Sequence, residues 1–258
     1  MADNHKCCGA PKDPLQQVRD LYTALAQQPE RDFGWGKGKT NARSLGYDPA
    51  WLEALPESVW ESAAAVGNPF ALGSLKPGEV IVDIGCGAGA DLCIAARLVG
   101  ESGRAIGLDL TPAMVAKAHD NARRAGMNNV TVHEADITAL PLPDACADVV
   151  ISNGAINLAA DKARVFQEIY RILRPGGRLQ FADMVRGSAP EAEAAGCGSW
   201  ADCVAGTVAP ERYLALLQTA GFRDALLVAW TGYRTAANTE GATFRAVKPE
   251  RQPLNNSK

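Results

Sequence analysis

The chain of 258 residues is 47% hydrophobic and 21% charged, with a formal net charge of −3. That length suits one α/β domain with additions, and a weakly acidic chain with no run of Lys and Arg excludes nucleic acid as a partner. No apolar stretch approaches the ~20 residues that span a bilayer, and the amino end, MADNHKCCGAP, lacks the apolar core of a signal peptide, so a cytoplasmic protein without a membrane partner is expected, its 7 cysteines reduced.

Residues Met1–Asp13 read as a tail carrying adjacent Cys7 and Cys8. Two thiols on such an arm can capture a soft metal or metalloid; they also read as incidental. Pro14–Gln28 places Leu15, Val18, Leu21, Tyr22 and Leu25 at helical spacing behind a first-turn proline. The expectation is an amphipathic helix over a ligand cleft, with Tyr22 either in the core or facing the ligand. Phe33–Thr40, FGWGKGKT, imitates a phosphate loop, but Phe33 stands where the first glycine of that pattern belongs. It reads instead as a glycine-rich lid in which Trp35 covers the substrate. Pro49–Leu55 and Glu57–Val66 are short helical segments, and Gly67-Asn68-Pro69 and Pro77-Gly78 are turns.

Next comes Glu79–Asp91, EVIVDIGCGAGAD. Val80, Ile81, Val82 and Ile84 form an apolar, β-branched run that reads as a strand buried on both faces. Gly85, Gly87 and Gly89 let the backbone bend and approach a ligand without Cβ interference. The Ala- and Leu-rich segment Ala90–Val99 reads as a helix, whose amino end favours negative charge. Gly85 to Ala90 can be fitted to a dinucleotide fingerprint. Asp83 argues otherwise, because a carboxylate there repels a pyrophosphate and suits a cation. The ammonium and sulfonium of S-adenosylmethionine supply such a charge.

Strands and helices then alternate. Strands are expected at Ala105–Leu108, Val130–His133, Ala147–Ile151 and Arg178–Met184, and helices over Thr111–Ala125, Asp161–Leu173 and Pro210–Ala220. Thr111-Pro112 opens its helix by N-cap and N1 chemistry. Ala225–Trp230 and Ala242–Val247 read as a closing hairpin, giving a doubly wound parallel sheet with one antiparallel strand. Ligands in such sheets lie beyond the carboxyl ends of the strands, where Asp83, Asp109, Asp136 and Asn153 fall. Asp109 can accept from ribose hydroxyls and Asp136 from an adenine amino group, with Asn153 beside the methionine part.

Asp-x-Gly-x-Gly-x-Gly at 83–89, the polar strand ends and the Pro-Gly-Gly before the fifth strand resemble the class I S-adenosylmethionine-dependent methyltransferases over about residues 79–247. The resemblance implies a seven-stranded Rossmann-like sheet with the last strand antiparallel and an N-terminal helical lid. It also implies that Asp83, Gly85, Gly87, Asp109, Asp136, Ile137 and Asn153 bind S-adenosylmethionine, and that a small molecule is the partner. The chain then divides into a tail and lid (1–76), the cofactor-binding domain (77–250, with a substrate-side insertion at 186–209) and a tail (251–258). No resident metal is expected.

The segments GNPFAL, LVGESGRAIGLDLTPAMVAKA, SNGAINL, DKARVFQEIYRILRPGGRLQFADM and Cys203-Val-Ala-Gly further resemble the arsenite methyltransferases over roughly residues 60–225. That family binds trivalent arsenic through cysteine thiolates, and Cys203 occupies one of its cysteine positions. Val66 stands where the family usually has a cysteine before Gly-Asn-Pro, and no cysteine follows Gly221-Phe222. Cys197 and Cys203 can supply two thiols, with Cys7 or Cys8 a third; a packing role for Cys197 and Cys203 stays open. Cys86, Cys93 and Cys146 read as small packed residues. His5, His119 and His133 all fall outside the substrate region, which favours a soft nucleophile that needs no general base, while Asp202, Asp183 and Tyr22 stay open as groups that could serve as one.

Overall fold

The computed structural model describes residues 13–187 and 206–250. An N-terminal layer holds α1 (Pro14–Gln27), α2 (Gly38–Ser44), α3 (Pro49–Ala54) and α4 (Glu57–Trp60). There follow β1 (Val80–Ile84), α5 (Ala90–Val99), β2 (Arg104–Asp109), α6 (Pro112–Arg124), β3 (Val130–Glu134), β4 (Ala147–Asn153), α7 (Lys162–Ile172), β5 (Leu173–Arg186), α8 (Pro210–Thr219), β6 (Arg223–Trp230) and β7 (Thr239–Val247). The sheet has seven strands in the order β3-β2-β1-β4-β5-β7-β6. The first five run parallel and β7 lies antiparallel between β5 and β6. This is the doubly wound sheet with a reversed last strand that the sequence predicts.

Alternation within each strand builds two cores. Val82 and Ile84 of β1 and Ile106 and Leu108 of β2 pack with Val165, Phe166 and Ile169 of α7 and Tyr213 and Leu217 of α8. Ile81 and Ala105, on the opposite face, pack with Leu92 and Ile94 of α5, Ala118 of α6, and Leu52, Val59 and Trp60 of the N-terminal layer. Apolar side chains on both faces are what parallel strands require. No helix among the described residues is long and apolar enough to cross a membrane.

Three local readings change. The fifth strand begins at Leu173, before Arg178, because Leu173 pairs with Ala147 as α7 ends; Arg174–Gly177 bulges out before pairing resumes at Arg178 opposite Val149. The 33–40 lid is helical from Gly38, whose N–H donates to the Ala63 carbonyl at 2.8 Å. Trp35 instead packs on Phe33, ring centroids 5.4 Å apart. Thr111 does precede α6, but its side chain makes no cap bond to the helix.

Candidate active site

A cavity of about 360 Å³ opens over the carboxyl ends of β1, β2 and β4. It lies where the strand order reverses, with β2 on one side of β1 and β4 on the other, the place where open α/β sheets bind ligands. Leu15, Val18 and Tyr22 of α1 form part of its wall, so the amphipathic first helix does cover the cleft. Trp35 is not part of that wall among the described residues.

The floor is the glycine bend. Gly85, Gly87 and Gly89 have φ of 72°, 52° and 89°, a left-handed region that costs a side-chain-bearing residue about 1–2 kcal/mol. At Gly85 an added Cβ would lie 2.2 Å from the Ala155 Cβ, so the bend needs glycine for space as well. The Gly85 and Cys86 N–H groups donate to the Leu108 carbonyl at 2.8 and 3.0 Å, tying the bend to the end of β2. Asp109 finishes the tie. Its carboxylate accepts from the Gly87 N–H at 2.8 Å and the Thr111 N–H at 2.9 Å. Burial raises the Asp109 pKa, and these hydrogen bonds pull it back.

Asp136 accepts from both the backbone N–H and the hydroxyl of Thr138, at 2.8 and 2.7 Å, through one oxygen. Asp136, Ile137 and Leu110 share the wall, so a carboxylate edge and two apolar side chains stand together. The opposite end of the cavity holds two buried acids. Asp91, in the first turn of α5, accepts from the Tyr47 hydroxyl at 2.8 Å and from the Asn153 amide at 2.9 Å. Burial lifts its pKa to about 6 against the pull of those two bonds. Asp83 is 2% exposed. Its pKa lies well above the usual carboxylate range, through burial first and the charges of Asp91 and Asp109 second, opposed by a bond from the Leu92 backbone. Its Oδ2 has no hydrogen-bond partner.

A buried carboxylate oxygen without a donor is costly, and a cationic ligand removes the cost. The donor set fits S-adenosylmethionine: Asp83 toward an ammonium, the spare lone pairs of Asp109 toward ribose hydroxyls, and Asp136, Ile137 and Leu110 around a purine. All seven residues expected to bind the cofactor, Asp83, Gly85, Gly87, Asp109, Asp136, Ile137 and Asn153, line this one cavity. Asn153 spends its side chain on the protein: its amide donates to Tyr47, Gly67 and Asp91, and its Oδ1 accepts from the Val66 N–H, each at 2.9 Å. Two wall residues, Tyr47 and Asp91, went unassigned in the sequence. An acid in the first turn after the glycines is a readable signal for Asp91, whereas nothing local marks Tyr47.

The expected acceptor-side thiols, Cys197 and Cys203, lie outside the described residues, as do Cys7 and Cys8. Cys86 and Cys93 are buried. Burial pushes the Cys86 thiol far up and the Cys93 thiol to about 12, so both stay protonated and packed. Val66 is buried in a small apolar cluster with Ala182 and Met184, and its carbonyl accepts from the Thr231 hydroxyl at 2.7 Å.

A further buried acid, Asp183, sits beyond the cavity, on β5. Asp183 is fully buried and accepts from the backbone N–H groups of Asn157 and Met184, each at 2.8 Å, and from the Tyr213 hydroxyl at 3.1 Å. Burial raises its pKa to about 7, against these bonds and the nearby charge of Lys162. The Lys162 ammonium donates to the carbonyls of Asn157 and Ala159 at 3.0 and 2.8 Å.

Residues 75–221 match the family described as methyltransferase domain. The chain is 34% identical over 240 residues to an arsenite methyltransferase of Halobacterium salinarum, covering 86% of this chain and 61% of that protein. It is 38% identical over 145 residues to an arsenite methyltransferase of Aquipseudomonas alcaligenes, covering 53% of this chain and 42% of that one. It therefore spans less than two thirds of either relative. Among solved structures it is similar to an arsenic(III) S-adenosylmethionine methyltransferase from Chlamydomonas reinhardtii, with a TM-score of 0.58 and 27% identity, covering 81% of this chain and 73% of that one.

Proposed function

The chain belongs to the methyltransferase domain family, and from that premise we propose that it transfers a methyl group from S-adenosylmethionine to trivalent arsenic held by the thiolates of Cys197 and Cys203. The observation that carries the donor half is the buried, partnerless Oδ2 of Asp83 beside the glycine bend. The acceptor half is supported by the likeness to arsenite methyltransferases along 86% of the chain.

The residues divide the work by chemistry. Asp83 takes the ammonium and Asp109 takes the ribose hydroxyls, while Tyr22, Leu15 and Val18 keep water from the cleft. Bound there, the cofactor supplies a sulfonium methyl that is already electrophilic. The chain's remaining task is to place a soft lone pair in line with that methyl. Such a nucleophile needs no general base, in keeping with a cavity wall that has no histidine among the described residues.

Val66 at the usual thiol position favours a second acceptor, a small thiol or hydrosulfide. A panel of arsenite, sulfide and small thiols, scored by S-adenosylhomocysteine release, separates the two. The expected result is turnover with arsenite, abolished in a Cys197→Ser, Cys203→Ser double variant that still binds cofactor by calorimetry. Arsenite turnover that survives the double variant overturns the thiolate role. Turnover with sulfide or thiols alone moves the acceptor, and cofactor binding with no turnover on any of them makes the protein a non-catalytic binder.

A further inference from the structure

Asp83 and Asp91 present two buried carboxylates to one cavity, yet they are not equivalent. Both oxygens of Asp91 are taken, one by the Tyr47 hydroxyl and one by the Asn153 amide. Asp83 keeps Oδ2 open. Of these two acids, only Asp83 offers a cationic ligand end an oxygen with no bond.

We propose that Tyr47 is a positioning residue for the cofactor's amino-acid end: its hydroxyl occupies Asp91, braces Asn153 and so directs the ammonium to Asp83. Four separate stretches converge on that hydroxyl. Tyr47 itself lies between α2 and α3, Asp91 opens α5, Asn153 ends β4, and the Gly67 carbonyl belongs to the Gly-Asn-Pro turn, 3.2 Å from the hydroxyl. The Asn153 amide also donates to Tyr47 Oη at 2.9 Å. The ring is held edge-on by Trp60 and Phe70, with centroids 6.4 and 6.2 Å away at interplanar angles of 89° and 80°. A phenol gripped this way loses little freedom on making its bonds. Burial, with the charge of Asp91 beside it, keeps Tyr47 protonated and so a donor. The N-terminal layer is thereby pinned to the cofactor floor at the amino-acid end of the cleft, some distance in sequence from the adenosine contacts at Asp109 and Asp136.

This inference rests on the cofactor reading above, and one experiment separates the two. Tyr47→Phe keeps the packed ring and removes only the hydroxyl. Calorimetry with S-adenosylhomocysteine, which carries the ammonium, is compared with 5′-methylthioadenosine, which has the same adenosine and thioether without it. Affinity for S-adenosylhomocysteine is expected to fall about tenfold, the scale of one hydrogen bond to a charged group, while affinity for 5′-methylthioadenosine changes less than about twofold. Equal loss of both ligands, or loss of neither, overturns the role of Tyr47. A wild-type protein that binds neither ligand overturns the cofactor reading instead.

Discussion

Two buried acids at strand ends, Asp83 on β1 and Asp183 on β5, show how differently the same residue can be used. Asp183 is served by two backbone N–H groups and a tyrosine hydroxyl, with the Lys162 charge close by. Asp83 receives one backbone bond and leaves an oxygen bare. The first is a clamp: it fixes the Asn157 backbone after β4 to β5. The second is unfinished, and a ligand finishes it. A satisfied buried acid thus reports architecture, and an unsatisfied one reports binding.

The contrast can be broken most severely at Asp109, which does both jobs. Asp109→Ala removes the acceptor of the Gly87 and Thr111 N–H groups as well as the proposed ribose contacts. Cofactor affinity is expected to fall by about 100-fold or more, read by calorimetry; an unchanged affinity would refute the placement of the adenosine. Asp83→Asn sharpens the comparison with a divided effect. Neutralising an unpaired buried charge stabilises the ligand-free protein by about 1 kcal/mol, while cofactor binding weakens roughly tenfold. A variant that loses stability and affinity together would place Asp83 with the clamps.

Asp183→Asn gives the smallest effect and depends on pH. An unfolded Asp releases its proton near 3.9, whereas folded Asp183 keeps its proton up to about 7. The folded state binds the extra proton across that window, so the wild type loses stability as pH rises through it. The amide cannot ionise and escapes the loss. In urea unfolding the wild type should therefore lose ground to Asp183→Asn between pH 6 and pH 8, by on the order of 1 kcal/mol. A gap independent of pH would mean that Asp183 is ionised throughout.

What the sequence makes legible is what the chain writes locally. The β1 run, its glycine bend and the acids just past successive strands all lie within a few residues of the backbone feature that positions them. Sheet order and reversal follow from alternating helices and a closing hairpin. The Tyr47 hub was hidden because its partners sit 44 and 106 residues away, joined only when the N-terminal layer packs on the sheet. Thr111 reads as a helix cap because cap preference is a local average; in the fold its backbone N–H goes to Asp109 and its side chain makes no cap bond. The early start of β5 depends on Leu173 meeting Ala147, a pairing invisible in either segment alone.

The central pairing of β1 with β4 has a consequence for biosynthesis. Residues 80–84 and 147–153 are neighbours in the sheet, so a nascent chain emerging from the ribosome has its bend long before the facing wall exists. Until Ser152 and Asn153 have been made and docked, the polypeptide has half a crevice and nothing to close it. Donor capture is therefore a late event in synthesis, and a fragment ending before β4 is expected to show none.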